Sequence, residues 1–139
     1  MKICKLCQKK KDIKKGWTCQ SCRKEKGRSS TWYRKKEVAK AKKTALVRDN
    51  YTCQRCGRTK ESGIAIHASH VYPEGRYVGM SADPMNIKAL CYQCHFLWWH
   101  KHPIEAGAWF KETFPERAEY LLEQSRKTIQ VDWKKRYGV

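Results

Sequence analysis

His70, Asn86 and His95 have the types and the order that acid–base and ion chemistry would need. His70 ends a short apolar run, and a histidine with a pKa near its unperturbed value of about 6.5 can accept a proton at neutral pH. Asn86 can bind backbone or an ion, and His95 can hold a divalent cation. Hydrolysis of a phosphodiester needs these three functions: a base to activate water, a cation to stabilise charge on the phosphate and leaving oxygen, and something to orient both. A single histidine beside a cysteine pair would be an ordinary helix residue; the ordered trio is what suggests chemistry.

The cysteines carry the strongest pattern. All eight fall into C-x2-C pairs, at 4/7, 19/22, 53/56 and 91/94. That spacing presents two thiolates to one tetrahedral zinc ion, and it is a poor framework for disulfides in a chain whose start, MKICKLCQKKK, shows no apolar signal core. Two structural Zn²⁺ ions are therefore expected. Cys4, Cys7, Cys19 and Cys22 would hold the first, and Cys53, Cys56, Cys91 and Cys94 the second. Because Cys94 abuts His95, the second ion would fix the start of the helix that carries that histidine.

The elements that position these groups suggest a small zinc-stabilised α+β domain. Residues 1–27 form an N-terminal Cys4 module too polar to bury much besides Trp17, so it depends on metal to fold. Residues 28–50 form a basic helix capped by Ser29 or Ser30, with Val38, Ala41 and Ala45 as its narrow apolar stripe. Residues 51–104 hold the zinc knuckle, a strand over 64–71 ending near His70, a Gly/Pro-containing loop, and a helix from Cys91 or Tyr92 to about Lys101. Residues 105–139 form two helices broken at Pro115, then a basic, aromatic tail expected to be mobile, with nucleic-acid contact left open.

Charge names a class of partner. The net charge is +18, and 18 of the 31 Lys/Arg fall in the first 50 residues against 4 of the 13 Asp/Glu. An excess concentrated in this way points to a polyanion, and nucleic acid suits it better than a membrane. No stretch approaches the ~18 apolar residues of a membrane span. Arg34, Lys35, Lys36, Lys42 and Lys43 on the basic helix are the candidate phosphate contacts, and Arg76 in the loop is a candidate clamp for the scissile phosphate. The alternative for the helix is a solvated, self-repelling linker.

With Cys53-x2-Cys56, His70, Asn86 and Cys91-x2-Cys94-His95 in this order, residues 51–102 resemble the HNH endonucleases of the ββα-metal fold, in their zinc-bearing subset. The basic helix before YTCQRCG and the segment through HKHPIEAGAWF look like small phage-type members, including phage recombination endonucleases. The resemblance implies a metal-dependent DNA endonuclease that leaves 5′-phosphate and 3′-hydroxyl ends on duplex or branched DNA. His70 would be the general base. Asn86 would position the base's loop or bind the metal, and His95 would be a ligand of a catalytic divalent ion, Mg²⁺ or Mn²⁺. The paired cysteines and the lack of a visible export signal point to the reducing cytosol, the host cytoplasm for a phage-encoded chain.

One departure from the family pattern matters. The position directly before the base, often Asp or His in the family, is Ser69, a poor ligand. His67 shares the strand parity of Ser69 and is the candidate substitute; His100 is another, though five residues after His95 it misses the ideal helical spacing of four. The departure keeps a rival alive: a two-zinc nucleic-acid-binding regulator with a degenerate nuclease site. Sequence alone leaves open the specificity of cleavage, nicking against double-strand cutting, and the number of chains in the assembly.

Overall fold

The computed structural model describes residues 27–138, residue 8, and the backbone of two N-terminal strands, β1 (Lys2–Ile3) and β2 (Lys10–Lys11), which pair antiparallel. Cys4, Cys7, Cys19 and Cys22, the expected first zinc site, lie outside the described residues.

At the centre is an antiparallel hairpin of β3 (Ile66–His70) and β4 (Ile87–Cys91), with Ile66 opposite Cys91 and His70 opposite Ile87. Every residue of β4 is buried. A two-stranded ladder is marginal unless its edges and faces are covered. On the free side of β4, the Ala89 N–H donates to Asp49 Oδ2 at 2.9 Å, and the Ala89 carbonyl accepts from Gln54 N–H at 3.0 Å. The chain leaving the basic helix thus covers this strand edge.

That helix, α1 (Ser30–Arg48), begins where expected: the Ser29 hydroxyl accepts from Trp32 N–H, taking up one of the donors a helix start leaves free. Its buried stripe includes the predicted Val38, Ala41 and Ala45, extended by Tyr33 and Glu37. This stripe packs on Ile87, Ala82 and Trp133, with Ala68 of β3 against the same cluster. Asn50 and Tyr51 then adopt left-handed φ angles of 52° and 48°, turning the chain into the Cys53 knuckle.

Helix α2 (Gln93–Trp99) follows β4 directly and is wound as a π-helix, closed by His100 N–H donating to His95 O. Helices α3 (Pro103–Thr113) and α4 (Pro115–Arg126) form a hairpin in which Phe110 and Leu121 join Met80 in a separate apolar cluster. Both helices start on proline, which suits a first-turn position where the missing N–H costs nothing.

The tail differs from expectation. Ile129 lies against Gly79 so closely that a Cβ there would stand 2.5 Å from Ile129 Cβ. Helix α5 (Trp133–Tyr137) then packs on α1: Trp133 is buried, Tyr137 meets the rings of Trp32 and Tyr33, and Arg136 donates to Ala82 O. The segment, expected to be mobile with nucleic-acid contact left open, is instead an anchored strap: Trp133 joins the buried cluster and Tyr137 packs half-buried against it.

Candidate metal centre and active site

The second cysteine site forms as the spacing predicts. The ligand atoms of Cys53, Cys56, Cys91 and Cys94 all lie within 4.8 Å of one another, and Cys56 and Cys91 Sγ are 3.6 Å apart. Thiolates ~2.3 Å from one tetrahedral ion sit ~3.8 Å apart, so the four sulfurs fit a single zinc. The electrostatics agree. Burial pushes Cys94 up to about 12 against a hydrogen bond from Arg55, whereas at Cys91 burial is outweighed by hydrogen bonds from Cys94, leaving it at about 7. Four thiolates at this separation ionise together only around a cation. Arg55 backs the site, 3.6 Å from Cys94 Sγ and 3.8 Å from the centroid of the Trp98 ring. Cys53 comes from the knuckle and Cys91 and Cys94 from the β4–α2 junction, so an ion held by the four would tie the knuckle to the start of α2.

His70 closes β3. Its Nε2 lies 2.8 Å from the Ser81 carbonyl. A carbonyl oxygen only accepts, so Nε2 carries the proton and Nδ1 keeps its lone pair. Burial lowers the pKa, more than the Ser81 bond raises it, and Lys42 and Lys88 add to the lowering. The ring is therefore neutral near pH 7, oriented, and able to take a proton.

Asn86 holds the loop that supplies this carbonyl. Completely buried, it accepts through Oδ1 from Tyr72 N–H at 2.8 Å and donates through Nδ2 to Tyr72 O and Met80 O, each at 3.2 Å. Its backbone carbonyl accepts from Val71 N–H at 2.7 Å. Of the two roles expected for Asn86, ion binding does not fit a side chain enclosed and spent on backbone groups; positioning does.

His67 and His95 converge. Their Nδ1 atoms are 3.2 Å apart, one ring carried by β3 and the other by α2. Two imidazole nitrogens ~2.1 Å from one ion stand ~3.0–3.4 Å apart over ligand angles of ~90–109°, so the pair fits a shared cation. Burial, followed by the neighbouring His100 and His67, lowers His95 to about 4, which leaves it neutral and ready to ligate. The π winding explains His100: five residues after His95 it would leave the face of an α-helix, yet here the rings stand 4.8 Å apart. His100 still completes no three-ligand group, since the four-cysteine set is the only such cluster among the described residues.

Ser69 is engaged by another side chain. It is buried and accepts from Lys88 Nζ at 3.2 Å, directly across the ladder, while the ammonium stands 3.2 Å from the Trp99 ring centroid. Burial drives the Lys88 pKa well below its usual value. Nothing in the sequence pattern singles out this lysine, because lysine in a strand ordinarily marks a solvated face.

The comparison with protein families supplies the decisive observation: the HNH endonuclease model matches residues 53–96. This segment is similar to an HNH endonuclease domain. No curated protein and no solved structure matches the chain significantly. The HNH segment starts at the first zinc-cluster cysteine and stops one residue past His95, so it contains His67, His70, Asn86 and all four ligating thiols.

Outside the HNH segment, Lys42 of α1 lines the same cavity as His70 and His95, whereas Lys35, Lys36 and Lys43 are solvent-exposed and Arg34 is half-buried. Arg76 is not brought to His70. It lines a separate cleft with Tyr77, Lys127 and Ile129. No helix among the described residues is long and apolar enough to cross a membrane.

Proposed function

We propose that this protein is a metal-dependent DNA endonuclease in which His70 is the general base. The observation that carries the reading is the Nε2–Ser81 hydrogen bond, which fixes the tautomer that leaves Nδ1 as the acceptor. In the reaction, Nδ1 takes a proton from water as the water oxygen attacks phosphorus and the P–O3′ bond breaks, the 3′ alkoxide taking its proton from solvent to give the 3′-hydroxyl. Asn86 keeps the Ser81 loop in place and so keeps the ring in line. A divalent ion held by His67 and His95 would supply Lewis-acid stabilisation of the charge on the phosphate oxygens. An imidazole pair favours Mn²⁺ or another transition ion over Mg²⁺, which prefers oxygen ligands. The cysteine cluster is a structural zinc site, and the Cys4–Cys22 set would hold a second ion. Lys35, Lys36, Lys42, Lys43 and Arg34 would hold DNA by its phosphates, which positions the strand without specifying sequence.

The test is incubation of reduced, zinc-replete protein with supercoiled plasmid, with and without added Mn²⁺, Mg²⁺ or Zn²⁺. Conversion to open-circular or linear DNA that depends on the added ion supports an endonuclease. A band that shifts but is never nicked under any of these ions would leave a nucleic-acid-binding regulator.

A further inference from the structure

His70 and His95 stand in the wall of a cavity of about 1150 Å³, not on a ridge. Lys42 of α1 borders it on one side and the α3–α4 hairpin on the other. Trp99, Phe110, Pro115 and Leu122 give it an apolar and aromatic wall, and Glu74, Lys111 and Glu119 add charges of both signs. Pockets that enclose small-molecule-sized ligands are typically ~300–1,000 Å³, so this cavity has room for a nucleotide. The apolar wall and Glu119 make a poor bed for a run of phosphates. They suit a base, whose ring faces want aromatic or aliphatic neighbours and whose amino groups want an acceptor. Lys42 and Lys111 can hold the flanking phosphates.

We propose that this cavity takes one unstacked nucleobase beside the scissile phosphate, which makes DNA with an unpaired or mispaired nucleotide, rather than continuous duplex, the preferred substrate. A base that is already unpaired enters without the cost of breaking its pair and leaving the stack; a paired one does not. The inference rests on the nuclease reading only for placing the scissile phosphate at His70. Base binding is measurable without cleavage.

The experiment titrates full-length His70→Ala protein against two duplexes of equal length at the same salt concentration, one fully paired and one with a single-nucleotide bulge. The bulged duplex should bind roughly tenfold or more tightly, the scale of the unpairing cost it avoids. In His70→Ala combined with Leu122→Trp, which fills the cavity mouth from an exposed position, that ratio should fall towards one while the melting temperature holds. Equal affinities for the two duplexes, or a ratio untouched by Leu122→Trp, would overturn the proposal. If wild-type protein then cuts both duplexes at one rate, the nuclease reading stands without it. If the ratio and its loss are found but no DNA is cut, base binding stands and the nuclease reading falls.

Discussion

At the scale of single residues, the site depends on which atoms are already occupied. Ser81 occupies Nε2 of His70, so only Nδ1 can act, and it acts only when unprotonated. Because burial lowers the His70 pKa, the single-turnover rate at saturating metal should rise with pH, pass its midpoint below 6.5, and level off above it. A midpoint above 6.5 would contradict a buried base. Asn86 gives a second prediction. Asn86→Asp replaces the amide that donates to Tyr72 O and Met80 O with an oxygen facing two carbonyls in a fully buried site. Urea denaturation should show a loss of at least ~1–3 kcal/mol, with cleavage falling as the Ser81 loop loosens. A variant as stable as wild type would mean that these bonds do not hold the loop.

At the scale of elements, the cysteine frame, the basic helix and the His70 strand were legible because each rests on a local pattern: C-x2-C pairing, a serine cap before an alanine-rich stripe, and alternation ending at a loop. The His67–His95 approach was half legible, since strand parity put His67 on the right face but nothing local fixes where a helix brings its ring. The π winding of α2 was not legible, because it arises from docking Cys94, Trp98 and Trp99 against the hairpin and the α3–α4 pair, so a period of 3.6 misplaced His100. Removing the second zinc should therefore do more than free a knuckle. It also frees the β4–α2 junction that carries Cys91 and Cys94, and with zinc binding worth ~10 kcal/mol or more, chelation should abolish the near-UV signal of Trp98 and Trp99. Retention of that signal in metal-free protein would show that the hairpin holds α2 unaided. On α1, joint replacement of Lys35, Lys36, Lys42 and Lys43 by Ala should weaken DNA binding and reduce the log–log salt slope by roughly one per lost phosphate contact. An unchanged slope would leave the helix facing solvent.

At the scale of the whole molecule, the chain closes on itself. The last elements return to the first helix, with Trp133 set among Tyr33, Val38 and Ala41, and on the way they pass Gly79 in the loop whose carbonyl orients His70. The strap escaped sequence reasoning because its apolar residues are few and scattered among lysines, and their partners, Gly79, Ala82 and Tyr33 among them, lie far back in the sequence. Trp133→Ala should cost ~3–5 kcal/mol, read by thermal or urea unfolding, as for other buried aromatics. A loss within ~0.5 kcal/mol would return the segment to the status of a loose tail. The central proposal is a zinc-framed site in which a neutral His70 activates water, and His70→Ala tests that proposal most directly. Plasmid nicking by the pure variant should fall ~10²–10⁴-fold in every added metal, with zinc content, melting temperature and DNA affinity near those of wild type. Nicking at the wild-type rate by that same protein would contradict it.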